Sequence, residues 1–264
     1  MIAWIEGRET GFDDEGQGDP VLFLHGFPLR RSIWTAQVAA LSDRARCIVP
    51  DLRGFGESAP LSPYSMDRYA DDVVELLDHL QVERAVVCGL SMGGYVAFAL
   101  WRRHAHRVRG LALLGTRAGA DAVAGAQRRR ELMAIAAERG SGGIADQMMP
   151  GMLGKTTRER NPSLGDSVHA MLESAPIAGS IGALQAMLDR PDSTPTLGTI
   201  TVPTLIVVGD EDVLTPVAES EVMHAGIRGS HLEVIAGAGH LANIERPAAV
   251  NHVLGEFLAS LQLT

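Results

Sequence analysis

One serine of the chain stands where it could act as a nucleophile. Ser91 is the centre of a G-x-S-x-G pattern at residues 89–93, between an apolar run at residues 85–88 and an apolar stretch at residues 92–101. A serine at the tip of a sharp strand-to-helix turn needs strained backbone angles, and small neighbours such as the two glycines and Gly94 let the helix pack close to the strand. The N-terminus of that helix would also favour negative charge developing beside Ser91. The pattern therefore predicts a nucleophile elbow.

A serine hydroxyl needs a base that removes its proton, and the base needs a carboxylate that orients it. Among the nine histidines, His240 lies in a loop of small residues (236–239), after the last predicted strand and before the last predicted helix. Such a loop would let the imidazole reach Ser91. The loop after the predicted strand at residues 204–208 offers three acids, and their spacing alone leaves all three open as the partner of the histidine. They are Asp210, Glu211 and Asp212.

Five segments of the chain together resemble the α/β-hydrolase superfamily, close to its serine esterase and enol-lactonase-like branch. The matching segments, in chain order, are His25-Gly26-Phe27-Pro28, residues 51–58, residues 89–94, residues 209–216 and Gly237-Ala238-Gly239-His240. In this family the acid follows the strand-ending glycine by three residues in a G-x-x-D-x-x-x-P pattern, so the resemblance implies Asp212 rather than Asp210. The chain order Ser91, Asp212, His240 is that of the family's catalytic triad.

The resemblance also implies how negative charge on a reacting carbonyl oxygen would be stabilised. Family members use the backbone N–H after the nucleophile, here Met92, and one from the loop after an early strand, here Phe27. Each of these two preorganised donors would lower the activation barrier by roughly 3 kcal/mol. The side chain of His25 is expected to hold this loop. Trp34, shortly after the loop, is a candidate for lining the substrate pocket, although a core position fits this tryptophan equally well.

The rest of the chain predicts the elements that bring these residues together. Six short runs carry apolar side chains at successive positions, as expected for strands buried on both faces. Stretches with helical spacing lie between them, for example at residues 66–80 and 247–261. This alternation predicts an α/β fold with a mostly parallel central sheet and helices on both faces, and the resemblance makes it the α/β-hydrolase fold. The predicted strands are residues 21–24, 48–49, 85–88, 111–114, 204–208 and 232–235.

One segment, residues 118–199, interrupts this alternation. It has no convincing strand, contains no Phe, Trp or Tyr, and carries six of the ten methionines. Either it is ordinary helical core, or it is a mobile helical cap over a pocket, because methionine adapts its shape to varied apolar ligands. The expected organisation is a core domain of residues 1–117 and 200–264, with a helical cap of residues 118–199 inserted before the acid-bearing strand.

The composition of this insert favours aliphatic substrates. Without aromatic residues it cannot stack a planar ring, whereas Leu, Ile and Met suit an aliphatic chain, and Met148 and Met149 are the insert residues expected to line the pocket. Three consecutive arginines at residues 128–130 are expected to form a solvated helix face. The dicarboxylate substrate of an enol-lactonase would instead want cationic partners in the pocket. The candidates for that role are Arg117, Arg128 and Arg158.

Position 91 also selects the reaction. Related haloalkane dehalogenases and epoxide hydrolases use an aspartate nucleophile, so Ser91 leaves acyl transfer to water through an acyl-enzyme, with no cofactor. The resemblance therefore implies a hydrolase of carboxylic esters or lactones, which include aliphatic acyl esters, N-acyl homoserine lactones and enol-lactones. Two alternatives stay open: a ligand-binding receptor of the same fold with slow turnover, and a cofactor-free perhydrolase.

The composition also argues against several other classes of protein. The chain has 23 Lys and Arg against 32 Asp and Glu, and this net charge of −9 argues against nucleic-acid binding. No apolar run approaches the roughly 18 residues that span a bilayer, so no membrane partner is expected. Residues 1–10 lack the apolar stretch of a signal peptide, which favours a cytoplasmic protein. Two cysteines and no metal-ligand spacing predict no metal. The expected partner is a small ester or lactone, and the expected assembly is a monomer or homodimer.

Overall fold

The structure, a computed structural model, describes residues 1–261, so the last three residues of the expected 200–264 segment lie outside it. Within this range eight strands form one sheet. They are β1 (Ile2–Ile5), β2 (Arg8–Glu15), β3 (Asp19–Leu24), β4 (Ala45–Pro50), β5 (Ala85–Leu90), β6 (Val108–Leu114), β7 (Thr204–Gly209) and β8 (His231–Ile235). Their order across the sheet is β1-β2-β4-β3-β5-β6-β7-β8. β2 pairs antiparallel with β1 and β4, and every pairing from β4 to β8 is parallel. The mostly parallel sheet confirms the predicted α/β fold.

The six predicted strands are all present, as β3 to β8. The apolar pattern gives no sign of β1 and β2, because β2 (RETGFDDE) is rich in charged residues and β1 is the partly exposed edge of the sheet. An antiparallel pair at a sheet edge can face water on one side and needs no continuous apolar run.

Both faces of the central strands are buried, as successive apolar residues predict. In β3, Val21 and Phe23 pack into one core, whereas Leu22 and Leu24 pack into the core on the opposite face of the sheet. All six residues of β5 are buried as well. Strand β5 therefore lies between the two cores, and the turn that carries Ser91 starts from there.

Helices cover the two faces. They are α1 (Thr35–Leu41), α2 (Met66–His79), α3 (Met92–His104), α4 (Val123–Met152), α5 (Lys155–Arg160), α6 (Pro162–Glu173), α7 (Ile177–Leu188), α8 (Thr194–Leu197), α9 (Val217–Gly226), α10 (Ala242–Glu245) and α11 (Pro247–Leu261). Helix α2 begins where the Ser65 hydroxyl accepts a 3.0 Å hydrogen bond from the backbone N–H of Arg68, a standard N-cap. Helices α2 and α3 pack on one face of the sheet, and α1 and α11 pack on the other.

The segment between β6 and β7 is helical, and it contains α4 to α8 and no strand. Helix α4 bends at Gly140, whose φ of +67° is a left-handed conformation that glycine adopts readily. Helix α7 touches the core at Gly179, where any side chain would overlap the carbonyl group of Gly54. No helix among residues 1–261 is long and apolar enough to cross a membrane.

Candidate active site

Ser91 lies between the end of β5 and the start of α3, in a strained conformation with φ +52° and ψ −111°. Three hydrogen bonds hold its backbone. Its N–H donates to the carbonyl oxygen of Leu114 at 2.9 Å, and its carbonyl oxygen accepts from Gly94 N–H at 2.9 Å and from the Thr116 hydroxyl at 2.8 Å. A left-handed φ in a non-glycine residue is costly, and it persists only where the surroundings fix it. The end of β6 therefore supports the strained serine.

The glycines beside Ser91 are needed because α3 approaches the sheet closely. A Cβ atom on Gly89 would lie 2.5 Å from the carbonyl oxygen of Gly93, and one on Gly93 would overlap the carbonyl group of Leu24 in β3. Real Cβ atoms do not approach so closely. The G-x-S-x-G pattern thus has the steric reason that its sequence context suggests.

Asp212 and His240 are brought together from the loops after β7 and β8. Nδ1 of His240 donates to Oδ2 of Asp212 at 2.9 Å, and the two residues are only 4% and 5% exposed. Oδ1 of Asp212 accepts from the backbone N–H groups of Leu214 (2.8 Å) and Thr215 (2.9 Å), and Oδ2 also accepts from the Thr215 hydroxyl at 2.7 Å. Burial alone would raise the pKa of Asp212, but its attraction to His240 and these hydrogen bonds outweigh burial and lower it.

The other two acids of this loop have different partners. Asp210 is exposed and accepts the backbone N–H of Gly237 at 2.7 Å. Glu211 accepts the backbone N–H of Thr156 at 2.7 Å and a short hydrogen bond from the Thr156 hydroxyl. Neither carboxylate bonds to His240. The geometry therefore singles out Asp212 among the three candidates that the spacing leaves open.

Ser91 and His240 line the same cavity, which has a volume of about 210 Å³. No hydrogen bond joins the Ser91 hydroxyl to His240, although both residues are within the described part of the chain. Contacts between a nucleophile and its base are often long in unliganded enzymes and shorten around substrate. A larger cavity, of about 420 Å³, lies near Arg31 and Asp51 and contains none of the candidate site residues. The candidate catalytic residues Ser91 and His240 therefore face the smaller cavity.

The two expected backbone donors come from the start of α3 and from the loop after β3. Met92 is the first residue of α3, and the N–H groups of a helix's first turn have no partner within the helix. Phe27 lines the cavity together with Ser91. The loop runs close to the serine, since a Cβ atom on Gly26 would lie 3.2 Å from Cβ of Ser91.

The side chain of His25 joins this loop to the segment after β4. It is fully buried, and its Nε2 accepts the backbone N–H of Leu52 at 2.9 Å. Nδ1 must then carry the proton and donates to the carbonyl oxygen of Gly26, also at 2.9 Å. Burial lowers the pKa of His25 and outweighs the attraction of Asp51, so the neutral ring fits both bonds. These contacts match the loop-holding role expected of His25.

Two of the three expected pocket residues do not face the cavity. Met148 lines it, together with Met187 from α7, but Met149 does not. Consecutive residues of an α-helix point about 100° apart, so only one of two neighbouring methionines can face a given side. Trp34 is fully buried in the core, with its ring 5.2 Å from that of Phe23, and it is not part of the cavity wall. The assignments of Met149 and Trp34 to the pocket are therefore corrected.

Three arginines line the cavity instead: Arg117, Arg128 and Arg129. Arg128 is exposed at the cavity rim, and Arg117 donates to the carbonyl oxygen of Leu214 at 2.7 Å. Arg158 is turned elsewhere, onto backbone carbonyl groups at the end of α4. The three arginines at residues 128–130 are thus not simply a solvated face, because the middle one points inward.

Arg129 belongs to a buried charge cluster at the base of the cavity. Its guanidinium pairs closely with Asp121, which also accepts from Arg190 at 3.0 Å. Burial would raise the pKa of Asp121, but hydrogen bonds and attraction from the two arginines lower it to about 2. Arg190 in turn lies over the ring of Tyr95, 4.1 Å from its centroid. The cluster carries two positive charges against one negative charge.

Thr116 and Thr215 are site residues that carry no sequence signal of their own. Thr116 is fully buried and holds the carbonyl oxygen of Ser91, and Thr215 is 2% exposed and holds Asp212. The G-x-x-D-x-x-x-P pattern indicates Thr215 only indirectly, because this threonine directly precedes the proline. Among residues 1–261 no cluster of three or more His, Cys, Asp or Glu side chains could hold a metal ion.

Comparison with known proteins adds independent findings. The α/β hydrolase fold family model matches residues 19–247 of the chain. The 3-oxoadipate enol-lactonase 2 of Acinetobacter baylyi is 31% identical over 242 residues, which cover 90% of this chain and 89% of that enzyme.

Two solved structures extend the likeness. A thermophilic esterase from Thermogutta terrifontis, with malate bound, superposes with a TM-score of 0.95 at 39% identity, covering 99% of this chain and 98% of that one. Est816, described as an N-acyl homoserine lactone degrading enzyme, has a TM-score of 0.83 at 30% identity, with 97% and 100% coverage.

Proposed function

The chain belongs to the α/β-hydrolase fold family, and we propose that it hydrolyses carboxylic esters or lactones through an acyl-enzyme formed on Ser91. The observation that carries the proposal is the buried hydrogen bond between Asp212 and His240, beside a strained serine that lines the same cavity. Relatives named as esterase and lactonases support this reaction class.

In the proposed mechanism His240 is the general base. Its Nδ1–H donates to Asp212, so Nε2 is the ring nitrogen that can take a proton from the Ser91 hydroxyl. The serine oxygen attacks the carbonyl carbon, and the imidazolium that forms is stabilised by the adjacent carboxylate. His240 then donates the proton to the leaving alcohol, or to the ring oxygen of a lactone, as the tetrahedral intermediate collapses.

The negative charge of that intermediate falls on the former carbonyl oxygen. We propose that the backbone N–H groups of Phe27 and Met92 bind this oxygen, each contributing roughly 3 kcal/mol of barrier reduction. The N-terminus of α3 adds its dipole in the same direction. Water, activated by His240, then hydrolyses the acyl-enzyme. Every step uses residues of the chain and water, so the proposal includes no cofactor.

Residues 118–199 form the cap in this proposal, and of the residues that the structure describes, 1–117 and 200–261 form the core domain. Three apolar residues of the insert line the cavity: Leu132, Met148 and Met187. Apolar walls gain binding free energy with each methylene that a substrate buries, about 0.8 kcal/mol apiece. An aliphatic acyl group is therefore the simplest occupant.

The cavity also favours a substrate that carries a negative charge. Arg117, Arg128 and Arg129 line it, and Asp121 is the single acid among its wall residues. An excess of positive charge inside a cleft attracts anions and raises their association rate. A lactone or ester with a carboxylate away from the reacting carbonyl, as in an enol-lactone of an oxo-dicarboxylic acid, is therefore the second candidate substrate.

The test is hydrolysis of p-nitrophenyl butyrate in large excess over the purified protein. Continuous release of p-nitrophenolate over many equivalents would support the proposed function. A single stoichiometric burst would instead indicate a receptor whose acyl-enzyme does not turn over. The proposal would be contradicted if neither p-nitrophenyl butyrate nor mono-p-nitrophenyl succinate released p-nitrophenolate and a simple lactone was not hydrolysed either.

A further inference from the structure

A buried carboxylate contacts the loop that carries His240, residues 236–241, which is called the histidine loop below. Glu245, the last residue of α10, is 6% exposed. Its Oε1 accepts the backbone N–H of Gly239 at 2.9 Å and that of Leu241 at 3.2 Å. These two N–H groups stand on either side of His240, so one oxygen atom fixes the backbone before and after the histidine.

The second oxygen of the same carboxylate reaches into the helical insert. Oε2 of Glu245 accepts the backbone N–H of Gly154, at the turn between α4 and α5, at 2.8 Å. That turn is in close contact with the histidine loop, since a Cβ atom on Gly154 would lie 2.8 Å from the nitrogen of Gly239. Both oxygens act only as acceptors, which is what an ionised carboxylate provides.

A second carboxylate also bonds to the insert, but its oxygens make no hydrogen bond to the histidine loop. Glu211 holds the backbone N–H and the hydroxyl of Thr156, two residues after Gly154. The insert is therefore tied to the core by two carboxylates, and only Glu245 also bonds to the neighbours of His240. This difference makes Glu211 a matched control.

We propose that Glu245 is a positioning residue for His240, acting through its hydrogen bonds to the backbone N–H groups of Gly239 and Leu241. The proposal rests on the proposed function, in which His240 removes the proton from Ser91. Backbone placement near a base matters because a displacement of about 1 Å can lower a rate by about 100-fold. A carboxylate that only capped α10 would support stability without affecting the rate.

The test compares three variants with the wild-type protein: E245A, E245Q and E211Q. E245A removes all three bonds, and we expect kcat to fall about tenfold to 100-fold, with KM changing less than about threefold. In E245Q the amide oxygen can still accept from Gly239 and Leu241, while its NH₂ group faces the N–H of Gly154. We expect kcat of E245Q and of E211Q to stay within about threefold of wild type.

A spectroscopic signature separates positioning from stability. The Nδ1 proton of His240, hydrogen-bonded to Asp212, should give a downfield ¹H NMR signal that is lost or broadened in E245A and kept in E245Q and E211Q. If E245A does not fold, E245D takes its place, because its shorter side chain cannot reach both Gly154 and the histidine loop.

Two results would overturn the inference: a kcat of E245A (or E245D) within about threefold of wild type, or equal losses in E245A and E211Q. Equal losses would assign the effect to a loosened insert. If the S91A variant is inactive, either result rejects only the role of Glu245, whereas an active S91A variant rejects the proposed function itself.

Discussion

Asp212 and His240 form a buried hydrogen bond of 2.9 Å, and every other acceptor direction of the Asp212 carboxylate is also used. Oδ1 takes two backbone N–H groups, from Leu214 and Thr215, and Oδ2 takes the Thr215 hydroxyl. A buried charge without such partners would be very costly. The site therefore keeps the carboxylate ionised and pointed at His240.

This relationship predicts unequal effects for two neighbouring acids. Asp212→Asn should lower kcat roughly 10⁴-fold, because an amide cannot stabilise the imidazolium and favours the wrong tautomer of the ring, as in other triads. Asp210→Asn should change kcat little, since the Asp210 side chain accepts from the backbone of Gly237 and does not bond to His240. Steady-state kinetics on p-nitrophenyl butyrate compare the two variants. A crippled Asp210 variant beside an active Asp212 variant would show that the acid is misassigned.

The parts of the site that depend on local pattern can be predicted from the sequence. Ser91 is marked by glycines that the strand-to-helix turn needs, and the apolar runs of β3 to β7 follow from burial on both faces. The position of Asp212 in the loop after β7 does not identify it as the partner of His240, because three acids share that loop. The family pattern resolves what local chemistry leaves open.

The remaining features depend on contacts between distant parts of the chain. Glu245 acquires its partner Gly154 only when the insert folds against the histidine loop. Likewise, Asp121, the partner of Arg129, also binds Arg190, which lies 69 residues further along the chain. No periodicity within a single helix or loop encodes such pairings, so the structure is needed to find them.

The preference for acyl-chain length should depend on Met148 and not on the adjacent Met149. For the wild type, kcat/KM is expected to rise up to roughly fourfold per added CH₂ from acetate upward, and to level off where the cavity ends. Met148→Ala should flatten this rise for long acyl chains while acetate turnover changes little, because Met148 lines the cavity. Met149→Ala is the control. A p-nitrophenyl ester series from acetate to dodecanoate makes the measurement, and equal profiles for the two variants would remove Met148 from the pocket.

The charge of the cavity predicts a preference between two esters of equal length. Mono-p-nitrophenyl succinate should have a higher kcat/KM than p-nitrophenyl butyrate, and Arg128→Gln should reduce that advantage about twofold to fivefold. Arg130→Gln is the control, because Arg130 is exposed on the same helix and does not line the cavity. Added salt should weaken the preference by screening. Equal effects of the two substitutions would mean that the arginines act only through the overall charge.

The Asp121 cluster predicts a pH-dependent contribution to stability. Its folded-state pKa of about 2 lies below the ordinary value of about 3.9, so the stabilisation is complete above about pH 4 and is lost as the pH falls toward 2. Asp121→Asn should therefore lower the free energy of unfolding by about 1–2 kcal/mol at pH 7, after allowing for solvent screening. Urea unfolding of both proteins at pH 7 and pH 3 tests this. A difference that is the same at both pH values would show that ionisation of Asp121 is not its source.

The most direct test of the central claim is the rate of ester hydrolysis by Ser91→Ala. With its nucleophile removed, the variant should fold like the wild type, and kcat for p-nitrophenyl butyrate should fall on the order of 10⁶-fold, the residual rate coming from the oxyanion hole and substrate binding. Circular dichroism and thermal unfolding confirm that the fold is kept. A folded Ser91→Ala variant that retains a tenth of the wild-type kcat would contradict the assignment of Ser91 as the nucleophile.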